Sequence, residues 1–112
     1  MLRCAFIALG TLVALVSLAV FAAPPVAAAD AAKVFQKSCA ACHGKEGQPN
    51  AVFAKQGVRS FKDAEWQKAT TDEQIETSIR KGKKGTMMAS FESQLSDEEI
   101  KAMVAYIRKL GK

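Results

Sequence analysis

The chain has 112 residues, of which 49% are hydrophobic and 24% are charged, and its formal net charge is +5. This length allows one small domain and little more. The hydrophobic residues are concentrated at one end, because no charged residue occurs from Cys4 to Ala29. The overall hydrophobic fraction therefore overstates the core of the folded part.

Residues 1–29 have the pattern of a secretory signal peptide. Arg3 gives the segment a basic start, and an apolar run of Leu, Val and Ala follows. Ala27 and Ala29 then frame a cleavage site of the A-x-A type before Asp30. The pattern predicts that the segment directs export and is removed.

The exported part is residues 30–112, a domain of 83 residues. The apolar run from Cys4 to Ala23 has 20 residues, which is also enough for an uncleaved anchor helix to span a bilayer. We therefore expect the domain in the periplasm, either free or, in the alternative, anchored to the membrane. Without Arg3 its formal charge is +4, which argues against nucleic acid as a partner.

The sequence of the exported part predicts an all-α domain with three to four short helices, long loops and no strand. Asp30 caps a first helix that stops at Gly44. Residues 45–61 show no sustained period and predict a long loop. Residues 63–68 then predict a short helix that carries Trp66.

Two further helices begin with capping boxes. Thr71 and Gln74 begin one helix, and Ser96 and Glu99 begin the last one. The last helix has acidic residues in its first turn and basic residues in its last, as its dipole favours. Its apolar stripe consists of Ile100, Met103, Val104, Ile107 and Leu110.

Cys39-Ala-Ala-Cys42-His43 is a C-x-x-C-H sequence, the attachment signal for c-type haem. Two cysteines three residues apart at a helix end project to one side, which suits thioether bonds to two vinyl groups of one porphyrin. The adjacent His43 then lies over the ring, where its imidazole can bind the iron. One covalent haem c also supplies apolar surface that a domain of this size lacks.

Other uses of this motif fit the sequence less well. A redox-active dithiol of the thioredoxin kind needs a βαβ context, which the sequence does not predict. A structural zinc site needs four ligands, whereas the exported part has two cysteines and one histidine. A disulfide between Cys39 and Cys42 closes almost no loop and constrains the unfolded chain little.

The sixth position of the iron cannot be filled by a second histidine of this chain, because His43 is its only one, which leaves a methionine, a lysine, water or no ligand. A methionine thioether is a recognised partner of histidine in electron-carrying haems. Met103 lies on the apolar stripe of the last helix and is expected in the core. Met87 and Met88 lie on a loop between two helices, and one of them is expected to bind the iron.

The chain resembles class I c-type cytochromes, in particular the small bacterial monohaem ones, over nearly all of residues 30–112. The resemblance rests on the C-x-x-C-H motif after a short helix and on a methionine-bearing loop before Leu95-Ser-Asp-Glu-Glu-Ile100. The ending Val-Ala-Tyr-Ile-Arg-Lys-Leu over residues 104–110 also matches. The resemblance implies a cytochrome c fold wrapped around one covalent haem.

In relatives the methionine loop commonly reads Met-Pro-x-Phe. Met88 and Phe91 keep this spacing, so the resemblance implies Met88 as the ligand, with Met87 in reserve. Ala89 stands in place of the usual proline, which leaves the loop less rigid. The Gly-Pro-Leu that usually follows the haem histidine is missing, so the sequence does not identify an acceptor for the second nitrogen of His43.

The expected function is outer-sphere electron transfer by a monomer that is not itself an enzyme. With His43 and a methionine both bound, the iron offers no open site to a substrate. Lys81, Lys83 and Lys84 precede the methionines and predict a basic rim that attracts acidic redox partners. The alternative is a haem enzyme or a sensor of peroxide or a diatomic gas, in which the less rigid loop at Ala89 lets the sixth position open.

Overall fold

In the computed structural model of the protein, residues 28–112 are described, and the predicted signal peptide lies outside them except for its last two residues. The described part is all-α, without a strand. Its helices are α1 (Ala28–Ser38), α2 (Ala40–His43), α3 (Ala51–Lys55), α4 (Ala64–Ala69), α5 (Asp72–Lys81) and α6 (Asp97–Leu110). The short helix predicted over residues 63–68 is present as α4, but the prediction of three to four helices was too low, because it did not separate α2 from α1 and did not include α3.

The first predicted helix is divided into α1 and α2. The prediction that Asp30 caps it was wrong, since α1 begins at Ala28 and Asp30 lies in its first turn. Cys39 interrupts the helix with φ −120° and ψ −36°, and Gly44 ends α2 with φ +80°. A Cβ at Gly44 would lie 2.0 Å from the carbonyl oxygen of Gln48, so this stop requires glycine.

The predicted loop 45–61 contains the short helix α3. The side-chain oxygen of Asn50 caps it by accepting from the N–H groups of Val52 and Phe53 at 3.0 and 3.1 Å. A helix of five residues is too short to show an apolar period, so periodicity alone did not predict it. The asparagine in front of Ala-Val-Phe-Ala-Lys was the available signal.

Both predicted capping boxes are confirmed. The Thr71 hydroxyl accepts from the Gln74 N–H at 3.1 Å, and the Gln74 side chain accepts from the Thr71 N–H at 2.8 Å. Ser96 and Glu99 form the same pair of bonds at the start of α6, at 3.1 and 2.8 Å. These two helices therefore start where the sequence predicts.

The core lies where α6 packs against α1 and α5. Phe35 and Met103 are fully buried, as the position of Met103 on the apolar stripe predicts. The Phe35 ring also contacts Tyr106, with ring centroids 5.1 Å apart. The buried cluster consists of Phe35, Phe61, Ile75, Ile79, Ile100, Met103, Val104 and Ile107.

Arg108, near the end of α6, joins this core to α4 and to the start of α5. Its guanidinium donates to the Asp72 carboxylate at 2.6 Å and to the carbonyl and side-chain oxygens of Gln67 at 2.7 and 2.9 Å. The Gln67 amide in turn donates to the carbonyl oxygen of Phe61 at 2.7 Å. These hydrogen bonds fix the position of Phe61, whose side chain lines the cavity of the candidate site.

Candidate functional site

A cavity of about 1080 Å³ is bordered by α2, by α5 and by the loop that follows α5. Pockets for small molecules and cofactors typically have roughly 300–1,000 Å³, so this one is large enough for a cofactor. Buried side chains of α1 and α5 form part of its apolar lining. The five residues predicted to attach a haem or bind its iron all line it: Cys39, Cys42, His43, Met87 and Met88.

The C-x-x-C-H residues occupy one turn at the wall of this cavity. The Cys39 N–H donates to the carbonyl oxygen of Phe35 at 2.9 Å, which attaches the turn to the end of α1. The carbonyl oxygen of Cys39 accepts from the His43 N–H at 3.0 Å. Both cysteines are half-buried free thiols. The backbone thus presents two thiols and one imidazole to the same cavity.

The thiol of Cys39 is electrostatically unsuited to dithiol redox chemistry. Burial raises the pKa of Cys39 to about 11, and the neighbouring Cys42 contributes in the same direction. A redox-active cysteine needs a lowered pKa, because the thiolate is the nucleophile. The raised pKa therefore disfavours Cys39 as the attacking thiolate of a dithiol site.

The imidazole of His43 is half-buried, with its Nδ1 atom fully covered, and it fits a metal ligand. Its Nδ1 has no hydrogen-bond partner among the described residues, so the acceptor that the sequence left unidentified is not found there either. Burial lowers the pKa of His43, which favours the neutral imidazole that binds metals. A buried polar atom without a partner is uncommon in folded proteins. Two thiols and a neutral imidazole that line one largely apolar cavity nevertheless fit a haem at this site.

Phe61 forms an aromatic wall that the sequence analysis did not assign to the site. Its ring is 6% exposed and stacks on the imidazole of His43, with centroids 4.6 Å apart and an interplanar angle of 17°. Trp66 packs against the Phe61 ring, with centroids 5.1 Å apart, and also lines the cavity. Phe61 lies in a turn, where no periodicity marks it. The only available signal was a large aromatic residue inside a mostly polar segment.

Met87 and Met88 differ in burial and in how their main chains are held. Met87 is 68% exposed, whereas Met88 is half-buried and packs against the core cluster. The carbonyl oxygen of Met88 accepts from the Lys83 N–H at 3.0 Å, and its N–H donates to the Thr86 hydroxyl at 3.2 Å. Met88 is therefore the more firmly positioned of the two methionines.

The predicted basic rim contains fewer uncompensated lysines than the sequence suggests. Lys81 forms an ion pair with Glu92 at 2.7 Å, which offsets its charge. Lys83 lines the cavity and Lys84 is exposed beside it in the chain. Within residues 28–112, neither has a carboxylate within 4.0 Å. Two lysines thus remain as unpaired charges at the start of the methionine loop.

The described part of the chain contains neither a cluster of metal-binding side chains nor a membrane-spanning helix. Across residues 28–112, no three His, Cys, Asp or Glu side chains are grouped to hold a metal ion. In the same range, no helix has both the length and the apolar character needed to cross a membrane. The anchor considered from the sequence lies outside the described residues.

An all-α fold with a cofactor-sized cavity behind a C-x-x-C-H turn defines a c-type cytochrome. The family model described as "Cytochrome C oxidase, cbb3-type, subunit III" matches residues 26–107. The chain belongs to this family of cytochrome c domains.

Several known proteins are similar to this chain. The cbb3-type cytochrome c oxidase subunit FixP of Bradyrhizobium diazoefficiens is 33% identical over 84 residues, which cover 75% of this chain but 28% of FixP. Cytochrome c-553 of Helicobacter pylori is 35% identical over 79 residues, which cover 70% of this chain and 76% of the relative. The solved structure of KustC0563, a c-type cytochrome, is 39% identical with a TM-score of 0.67, covering 73% of this chain and 98% of that one.

These similarities confirm the predicted class and fold. The chain is a small c-type cytochrome with an all-α cytochrome c fold. Its cofactor is one covalently bound haem c. The chain spans about 28% of the length of the FixP relatives, which are much larger proteins.

Proposed function

We propose that this protein is an exported carrier of single electrons, with haem held by thioether bonds to Cys39 and Cys42 and iron bound by His43 and Met88. The main support is that one cavity is lined both by the C-x-x-C-H turn and by the methionine loop, which are far apart in the sequence. With one ligand from each segment, a bound haem iron would have no open position, so the site would exchange electrons rather than bind a substrate.

The residues of the chain keep this site apolar and fixed. Haem c, when bound, supplies an iron that takes up and releases one electron. Burial keeps the imidazole of His43 neutral, and Phe61 limits rotation of its ring by stacking on it. The apolar lining disfavours additional charge in the cavity, and together with thioether ligation it favours the ferrous state. Covalent attachment prevents loss of the cofactor by dilution.

Export is the second part of the proposal. Residues 1–29 act as a signal peptide, and residues 30–112 function as a monomeric periplasmic domain, or as an anchored one if the segment is retained. The intact mass of the exported protein tests both points. We expect the mass of residues 30–112 plus one haem. A mass that includes residues 1–29 would indicate the anchor, and a mass without haem would contradict the proposed attachment.

The proposed partners are redox proteins with an acidic docking surface. Lys83 and Lys84 provide positive charge at the start of the methionine loop, where no carboxylate of the described residues offsets it. Opposite charges accelerate association, and salt screens them. The rate of electron exchange with such a partner should therefore fall as ionic strength rises.

The proposed ligand set is tested by matched substitutions of the two methionines. In ferric cytochromes a weak charge-transfer band from sulfur to iron reports the methionine ligand. We expect Met88→Leu to abolish this band and to allow rapid binding of cyanide, whereas Met87→Leu retains the band. Loss of the band only in Met87→Leu would assign the ligand to Met87. A wild-type protein without the band that binds carbon monoxide or cyanide at once would instead favour the enzyme or sensor.

A further inference from the structure

The segment after the methionines is bound to the C-terminal end of α5. The last carbonyl groups of a helix have no partner within the helix and must find one elsewhere. Here the Phe91 N–H donates to the carbonyl oxygen of Ile79 at 2.9 Å. The carbonyl oxygen of Arg80 accepts from the Glu92 N–H at 3.3 Å and from the Ser90 hydroxyl. These hydrogen bonds attach residues 90–92, which follow the two methionines, to the C-terminal end of α5.

Gly82 fixes the other end of the loop by allowing a close approach of two backbone segments. It has φ +69°, and a Cβ there would lie 2.6 Å from the carbonyl oxygen of Met88 and 2.8 Å from the carbonyl carbon of Ala89. A side chain at this position would therefore displace the backbone of Met88 and Ala89 in the methionine loop. Gly85, in the same loop, has φ +78°, but a Cβ there would meet nothing within 4 Å.

The hydroxyl of Thr86 organises the inside of the loop. It donates to the carbonyl oxygen of Lys83 at 2.7 Å and accepts from the Met88 N–H at 3.2 Å. Since the Lys83 N–H donates to the Met88 carbonyl at 3.0 Å, both main-chain polar groups of Met88 are held. No hydrogen bond within residues 28–112 holds the main chain of Met87 in this way.

We propose that Gly82, Thr86 and Ser90 form a methionine clasp, a set of positioning residues that presents Met88 rather than Met87 to the iron. The inference rests on the proposed function, because it concerns how the sixth ligand is selected and retained. Ala89 has no proline ring to make the loop rigid. The hydrogen bonds and the close backbone contact of the clasp provide this rigidity instead. Thr86 determines which methionine is held, while Gly82 and Ser90 fix the two ends of the loop.

The hydroxyl of Thr86 is tested in the haem-loaded protein by Thr86→Val, which keeps the branched shape and removes the hydrogen bonds. We expect the ferric variant to bind cyanide at least about tenfold faster, because it loses both hydrogen bonds of the Thr86 hydroxyl. Thr86→Ser should restore the original rate. Ser93→Ala, an exposed hydroxyl change outside the clasp, is the control. An unchanged rate in Thr86→Val would overturn the role of Thr86.

The selection of Met88 is tested with a double variant. If the clasp positions the backbone of Met88 so that its side chain reaches the iron, Thr86→Val loosens this backbone and lets Met87 compete as the ligand. The charge-transfer band should then be weaker in Thr86→Val with Met87→Leu than in either single variant. A band as strong in the double variant as in Met87→Leu alone would show that Thr86 does not select the ligand.

The close approach at Gly82 is tested by Gly82→Ala with Gly85→Ala as its matched control. Both positions have positive φ, so the two variants share the backbone strain, but only Gly82→Ala adds a steric clash. We expect faster cyanide binding and faster amide exchange at residue 88 for Gly82→Ala than for Gly85→Ala. Equal effects would show that the contact has no special role. If Gly82→Ala fails to fold, the Thr86 variants still decide the proposal.

Failure of the clasp differs from failure of the proposed ligand set. If Met88→Leu keeps the band, the ligand assignment is wrong and the clasp is wrong with it. If Met88→Leu loses the band while Thr86→Val and Gly82→Ala bind cyanide at the wild-type rate, the ligand assignment stands and only the clasp is wrong.

Discussion

The side of the cavity that carries His43 and the side that carries Met88 are built in different ways. His43 belongs to a helical turn joined to α1, its ring is covered by Phe61, and Phe61 is attached to α6 through Gln67 and Arg108. Met88 lies in a loop without helix, next to a methionine that is 68% exposed. The loop is only partly buried, and hydrogen bonds attach it to the end of α5.

This difference indicates where the molecule opens first. Segments with few buried contacts and exposed hydrogen bonds have the lowest local stability, whereas core helices open only with global unfolding. The imidazole side therefore resists change, and ligand exchange is expected on the thioether side. Three substitutions test this comparison, beginning with the one expected to have the largest effect.

Phe61→Ala should weaken the His43 side strongly. It removes a ring that is 6% exposed and that covers the imidazole. Truncation of a buried Phe typically costs about 3–5 kcal/mol in the free energy of unfolding, which urea denaturation measures. Met87→Ala is the matched control on the other side, and its exposure predicts a cost within about 0.5 kcal/mol. Similar costs for both variants would contradict the described asymmetry.

Arg108→Met should have an intermediate effect, because it keeps most of the side-chain stem but removes the bonds to Asp72 and Gln67. Leaving partly buried acceptors unpaired costs about 1–3 kcal/mol. Hydrogen exchange should also become faster around Phe61, which Gln67 holds. Lys109→Met, a neighbouring exposed position, controls for the change of charge. A stability loss no larger than that of Lys109→Met would show that the hydrogen bonds of Arg108 and Gln67 do not stabilise the position of Phe61.

The ion pair of Arg80 and Asp97 should have the smallest effect, and its effect should depend on pH. The Arg80 guanidinium donates to the Asp97 carboxylate at 2.6 Å, and this bond lowers the pKa of that carboxyl below 3.8. Since the folded state has the lower pKa, the stabilisation is present above about pH 4 and is lost as pH falls through the folded value.

The measurement is the Tm of the wild type and of Asp97→Asn between about pH 3 and pH 7. We expect a small advantage for the wild type at neutral pH that shrinks toward the acid end. A difference between the two proteins that is constant over this range would exclude the ion pair as its cause.

Much of the molecule follows from local signals in the sequence. The capping boxes of α5 and α6 need only two residues three positions apart, and the apolar stripe of α6 predicts the burial of Met103. The C-x-x-C-H motif gives the cofactor class because attachment chemistry requires adjacent residues. The short helix α3 was not predicted, since five residues show no period.

The all-α class, the haem motif and the two capped helices could therefore be predicted from the amino-acid sequence, because each depends on residues within a few positions of one another. Three contacts became visible only in the folded protein: Phe61 stacks on His43, Lys81 pairs with Glu92, and the backbone of the methionine loop contacts Gly82. These contacts join residues that are between 6 and 18 positions apart in the chain. Their formation depends on how the helices pack, which no local pattern encodes.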